Sequence, residues 1–219
     1  MRLEIYQIDH DKDTDKASFM PFKDITKVDP SIYRKVFDAD AEVNSLEDAF
    51  YLFNHEGHPL YNGRSMSVSD VVITEQGSFY CDSIGFRKID FDKAKVDKSD
   101  LIKVLYVEPH KNPYEAEIPD TLAAKQKAVG GYIEFVYNAD ETALVCDEEA
   151  KLKCKEGNRY LEGGGIIAGN FLVVGLGEED CRSLTDEEVQ KYKAKYSEAP
   201  DIDDEETAAD VGFKFTGFM

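Results

Sequence analysis

The stretch Gly63 to Phe91, GRSMSVSDVVITEQGSFYCDSIGFRKIDF, constrains the fold more than any other part of the chain. Two β runs, Val68 to Thr74 and Phe79 to Ile84, flank the turn Glu75-Gln76-Gly77-Ser78. A third run, Arg87 to Phe91, follows the Gly85-Phe86 corner. β-Branched and aromatic residues on both sides of a glycine-bearing turn signal a hairpin. The first half of the chain is expected to be organised around this meander.

Arg2 to Ile8 alternates as an opening strand, with Leu3 and Ile5 on one face and Tyr6 and Ile8 on the other. Residues 29–44 read two ways. Asp29-Pro30 suits the start of a short helix, while Tyr33, Lys35 and Phe37 alternate as a strand. Ser45 to Asn54 reads as a helix: Ser45 caps it, and Leu46, Ala49, Phe50 and Phe53 form one apolar stripe. Gly57 and Pro59 end it.

Asp92 to Asp100 is charged and aperiodic, and is read as the domain boundary. Beyond it come a strand from Leu101, a loop containing Pro113 and Pro119, and a helix from Leu122 to Val129 closed by Gly130-Gly131. Strands Tyr132–Tyr137 and Thr142–Cys146 follow, then an apolar strand from Ile166 to Gly175 interrupted by Gly169. Thr185 and Glu188 form a capping box for a last helix with Val189, Tyr192 and Tyr196 on one face. The expected architecture is α+β: two small domains, residues 1–96 and 97–197, each a mostly antiparallel sheet with one or two helices. Residues 198–219 form an acidic tail of low hydrophobicity, expected to be mobile, that ends in the aromatic segment GFKFTGFM.

Charge narrows the function classes. The chain carries 45 acids against 26 bases, a net of −19 over 219 residues. Residues 1–96 hold 12 bases and 18 acids, residues 97–197 hold 13 and 20, and the tail holds 1 and 7. A surplus of this sign repels phosphate backbones and argues against direct nucleic-acid binding. It favours partners that present basic surfaces, though solubility alone also selects acidic chains. No 18-residue apolar run and no signal-peptide pattern occur, so neither a membrane nor export is expected and a cytoplasmic protein is. Cys81, Cys146, Cys154 and Cys181 lack metal or redox spacing and read as buried, reduced thiols.

No catalytic, cofactor or metal constellation emerges. The aspartates of Asp9 to Asp15 lack the glycine and glutamate that a calcium loop requires. His55 and His58 are three apart rather than four, at a point where Gly57 breaks the helix. Gly63 to Ser67 lacks the last glycine of a nucleophile elbow and precedes a strand. Gly175-Leu176-Gly177 is followed by Glu178, Glu179 and Asp180 where a phosphate would sit.

The first half nevertheless resembles the YodL-like domain. The resemblance lies in RLEIYQI (Arg2 to Ile8), SLEDAFYLFN (Ser45 to Asn54), RSMSVSDVV (Arg64 to Val72) and YCDSIGF (Tyr80 to Phe86). The second half resembles domain of unknown function 3846. It does so through KVLYVEP (Lys103 to Pro109), AVGGYIEFVY (Ala128 to Tyr137), ALVCDEEAKL (Ala143 to Leu152), IIAGNFLVVG (Ile166 to Gly175) and SLTDEEVQKY (Ser183 to Tyr192). Gly157 to Gly165 is richer in glycine than that family suggests. Neither resemblance implies a catalytic residue. Together they imply an accessory protein of conjugative elements or phages, in the company of antirestriction proteins.

The favoured expectation is a non-enzymatic, acidic interaction protein that imitates nucleic acid and occupies the basic groove of a host defence nuclease. Its partner-binding candidates are Asp201, Asp203, Asp204, Glu205 and Glu206 with Glu178, Glu179 and Asp180. The rival is a small-ligand regulator or small enzyme with a site at the strand ends, from the family-motif residues Ser67, Ser69, Asp70, Asp82, Ser83, Gly85 and Phe86. An acidic scaffold protein is the third possibility.

Overall fold

The computed structural model describes residues 1–98 and 100–210; the terminal aromatic segment lies outside the described residues. The chain divides into two compact units, Met1–Leu101 with Ala116–Pro119, and Ile102–Glu115 with the chain from Asp120. The architecture is α+β, with mostly antiparallel sheets.

The first unit contains β1 (Arg2–Ile8), β2 (Tyr33–Asp40), α1 (Leu46–Tyr51), β3 (Val71–Thr74), β4 (Gly77–Cys81) and β5 (Phe86–Ile89). Its sheet runs β2-β1-β3-β4-β5. β1 alternates as its sequence requires. Tyr6 and Ile8 enter a core with Tyr33, Val71, Tyr80 and Phe91. Ile5 pairs with Phe37 and Val72, and the Phe37 ring meets Phe53 at 4.8 Å. Both readings of residues 29–44 hold in part: Asp29 caps a single 3-10 turn at Pro30–Ile32, and β2 begins immediately after it.

The meander forms, with shifted boundaries. Thr74 pairs with Gly77, so the turn is the two residues Glu75-Gln76 rather than four. Val68, Ser69 and Asp70 fall outside β3. Asp82 to Gly85 closes a turn through Asp82 N–H on the Gly85 carbonyl at 3.0 Å, which ends β4 at Cys81. α1 starts as expected, with Ser45 Oγ accepting from Asp48 N–H at 3.0 Å. It then widens into a π turn over Leu52–Glu56. That change of phase buries Phe53 and leaves Phe50 37% exposed, outside the expected stripe.

The second unit contains β6 (Leu101–Val107) from Ile102, the first two residues of β7 (Tyr114–Pro119), α2 (Leu122–Val129), β8 (Ile133–Tyr137), β9 (Thr142–Asp147), β10 (Gly157–Tyr160), β11 (Ile166–Ala168), β12 (Phe171–Leu176), β13 (Cys181–Arg182), α3 (Asp186–Lys195) and α4 (Asp204–Ala209). The larger sheet runs β7-β6-β12-β9-β8, with β13 on β12. On one face Leu105, Val107, Leu144, Phe171 and Val173 pack against Val189, Tyr192 and Tyr196 of the α3 segment. Residues of the alternate set turn to the other face, where the Tyr106 hydroxyl donates to the Ala128 carbonyl of α2 at 2.9 Å. A helix therefore covers each face.

Three expectations for the chain beyond Leu101 change. Pro113 and Pro119 frame a strand, β7, because Ala116 and Ile118 point inward between charged neighbours. Ile166 to Gly175 is two strands, because Gly169 takes φ 69° and turns the chain out of the β10–β11 pair and into β12. Gly157 to Gly165, where the sequence signals no strand, supplies β10 in its first four residues. The start of the tail is ordered: Asp203 caps α4, and Ile202 and Thr207 are buried. A β-carbon at Gly157 would lie 2.6 Å from Thr207 Oγ1 and 2.8 Å from Ile202, so glycine allows the α4 segment to lie against β10. The thiols also divide: Cys81 and Cys146 are buried, Cys181 is half-buried and Cys154 is exposed on a turn.

α3 carries its full capping box, and Arg182 donates to both Glu188 oxygens at 2.8 and 2.7 Å. This guanidinium lowers the Glu188 carboxyl from 4.5 to about 2. A depressed carboxyl contributes stability above its unfolded value and loses it as pH falls through the folded value. The wild-type chain should therefore lose stability between pH 4.5 and about 2, and Glu188→Gln should flatten that segment of a urea-denaturation pH profile. In a second test, Gly157→Ala should cost about 1–3 kcal/mol and raise hydrogen exchange across Asp204–Ala209.

Candidate functional site

The seven motif residues sit at one end of the first sheet. Asp70 is fully buried, and both its carboxylate oxygens accept hydrogen bonds. Arg64 reaches it from both Nη atoms, at 3.0 and 2.6 Å. Gln7 Nε2 donates at 2.9 Å and Ser67 N–H at 2.8 Å. The same Gln7 amide donates to the Tyr61 hydroxyl and accepts from Arg64 N–H, while Tyr61 donates to the Arg64 carbonyl. Burial pushes the Asp70 carboxyl upward, against the pull of Arg64. Three of these donors fall on Oδ2 and one on Oδ1, and with the group fully buried the carboxylate is closed to a substrate arriving from solvent. It closes the segment Tyr61 to Asp70 against β1.

Ser69 and Asp82 fasten a second segment. Ser69 takes φ 81° and accepts from Phe19 N–H at 3.0 Å, while its carbonyl accepts from the Tyr33 hydroxyl. Asp82 accepts from Phe22 N–H at 3.1 Å and Ser83 N–H at 2.8 Å. These two amides hold its carboxyl below the ordinary range. Arg64 stacks on Phe19 and Arg87 on Phe22, each at 4.7 Å. The loop through Phe19 and Phe22 is thus pinned from both sides. Asp70 and Asp82 do not form a pair, since each faces different donors. Gly85 serves the Asp82 turn, and Phe86 opens β5 opposite Cys81.

The pinned loop walls a cavity of about 260 Å³ lined by Lys12, Asp15, Asp24, Lys27, Tyr33 and Tyr80, among others. The two tyrosines that line it stay protonated near neutral pH. Burial drives Tyr33 upward, and burial with Asp82 nearby takes Tyr80 to about 12. Burial likewise takes Cys81 and Cys146 to about 12, far from a reactive thiolate. No group of three or more histidine, cysteine or acidic side chains is placed to hold a metal among the described residues. His55 lies on Tyr51 with ring centroids 4.5 Å apart, and His58 Nδ1 accepts from Leu60 N–H.

The acidic candidates occupy two separate elements. Glu178, Glu179 and Asp180 form the exposed turn between β12 and β13, closed by Gly177 N–H on the Asp180 carbonyl at 2.8 Å. Asp203 caps α4, and Glu206 accepts from the Tyr160 hydroxyl at 3.2 Å. Asp201, Asp204 and Glu205 are exposed.

Residues 2–91 match the YodL-like domain, and residues 102–197 match the domain of unknown function DUF3846. The chain joins these two domains in that order. No curated protein and no solved structure matches it. The YodL-like domain is the one that holds the Arg64–Asp70 knot. Sequence reasoning found its Ser and Asp members but missed Arg64, Gln7 and Tyr61. An aspartate leading directly into an apolar run, with one arginine six residues before it, was the available signal. No helix among the described residues is long and apolar enough to cross a membrane.

If the motif side chains fasten the loop, Asp82→Ala should speed hydrogen exchange at Phe22 N–H and Ser69→Ala at Phe19 N–H, by about tenfold or more each. Exchange across β12 should not change in either variant.

Proposed function

We propose that this chain is a non-enzymatic, acidic interaction protein of a mobile element or phage, which binds a protein with a basic surface. In the most specific form of this reading it imitates nucleic acid and inhibits a host defence nuclease, as antirestriction and anti-CRISPR proteins do. One observation carries most weight. Asp201, Asp204 and Glu205 are exposed and ion-pair with nothing among the described residues, yet they stand on and beside a helix anchored by Ile202 and Thr207. Charges held on an anchored element lose less entropy on binding than charges on a loose tail. Acids in a first helical turn also favour the helix itself, so the run suits both fold and partner. The net charge of −19 points to the same class of partner. A cytoplasmic location fits this reading.

The cavity beside the motif favours a second reading, a regulator that binds a small polar ligand between Lys12, Lys27 and the two tyrosines.

The test is capture from host lysate with the tagged chain at low and high salt, beside the variant Asp201→Asn, Asp204→Asn, Glu205→Gln. This variant keeps the Asp203 cap. Interaction with a basic partner should weaken several-fold in the variant and fall steeply with salt. Partner capture indifferent to salt and to all three substitutions would overturn the proposal.

A further inference from the structure

Among the described residues, strands β2, β5, β7 and β8 end the two larger sheets. Three are protected in the usual ways. β2 carries four charged residues and a register shift, β5 carries Arg87 and Lys88, and β7 carries Glu115 and Glu117 before Pro119. β8, with the sequence IEFVY, has one charge, no proline and no bulge. It is flanked by Tyr132, 65% exposed, and ends in Tyr137, 68% exposed, whose ring stacks on Phe135 at 6.2 Å. An apolar edge of ordinary strand length, without the charges, proline or bulge that blunt the others, is a template for another strand.

The register shows which groups are free to pair. Asn138 N–H donates to the Thr142 carbonyl, and Glu148 N–H to the Tyr132 carbonyl. Antiparallel alternation then directs the backbone of Glu134 and Val136 toward Cys146 and Leu144 of β9. Ile133, Phe135 and Tyr137 direct theirs away from the sheet. Phe135 is the middle residue of both the strand and this outward set.

We infer that β8 is the dimerisation edge of this protein, pairing antiparallel with β8 of a second copy about a two-fold axis at Phe135. In that register Phe135 faces its counterpart in a hydrogen-bonded pair, and Ile133 faces Tyr137. Glu134 faces Val136, so the one charge on the strand avoids its own copy. All three outward residues find partners, and the two-fold makes the contact self-complementary. The net charge of −19 on each chain opposes association, so salt should tighten the dimer. That is the reverse of the salt dependence expected for a basic partner, so the two proposals fail independently.

The experiment is sedimentation or light scattering of the full chain, at two salt concentrations and up to roughly 100 µM. A species of twice 24.7 kDa, favoured by salt, is expected. Phe135→Glu, which sets two carboxylates face to face on the axis, should weaken association about tenfold or more. Tyr137→Pro removes an outward donor at an exposed position and should do the same, while Ile84→Glu, at a site 94% exposed on the first unit, should change nothing. A wild-type chain that stays at 24.7 kDa overturns the proposal, as does a dimer unaffected by both β8 variants.

Discussion

The buried Asp70 carboxylate is the interaction on which the first unit depends. Removing a charge from water costs several kcal/mol unless donors replace the lost hydration. Here Arg64, Gln7 and Ser67 N–H supply them, drawn from three points of the chain. Gln7 belongs to β1, an interior strand between β2 and β3, so satisfying one carboxylate fixes the segment from Tyr61 to Asp70 against the interior of the sheet. Ser69, forced into a left-handed conformation next door, then presents its hydroxyl to Phe19. A motif rich in serine and aspartate thus has the composition of an active site and the bonding of a fastening.

The second unit uses the same physics with the signs exchanged. Arg159 is 3% exposed and ion-pairs with no carboxylate among the described residues; instead its N–H groups donate to the carbonyls of Tyr196, Asn158 and Lys111 and to the Asn158 side chain. Burial lowers its pKa. Its position at the C-terminal end of α3 places a cation on the negative end of the helix dipole. Asp147, also buried, gathers Lys153 and Lys155, and Lys155 donates onward to the Val129 and Gly130 carbonyls that close α2. Both helices are therefore held to the sheet at their ends by buried charge as well as by apolar packing.

Much of this fold was legible in the sequence because the signals were local. The Thr185–Glu188 box, the Ser45 cap and the alternation of β1 are decided within a few residues. The misreadings arose where a distant partner decides. Val68 to Asp70 has strand composition, yet Asp70 needs Arg64 and Gln7 more than it needs a ladder position. Gly157 and Ile202 lie far apart in sequence, so nothing local announced that the acidic run would be drawn into a helix against β10. Phe50 was assigned to a stripe that assumed an unbroken helical period, which the π turn after Tyr51 breaks. The family-motif residues were found by composition, but their role as fasteners depends on donors the sequence does not mark.

The central claim is that the Ser and Asp motif of the YodL-like domain holds the fold rather than performing chemistry. Its most direct test is a double-mutant cycle on Arg64→Met and Asp70→Leu, read by urea denaturation of the full chain. Arg64→Met should cost about 3–5 kcal/mol, because it leaves the Asp70 charge buried and unpaired; Asp70→Leu should cost about 1–3 kcal/mol, because Arg64 is half-buried and regains water while Gln7 and Ser67 N–H lose their acceptor. The double variant should cost much less than their sum. Singles that leave stability unchanged, or costs that simply add, would contradict the account and return Asp70 to the list of residues free to act on a ligand.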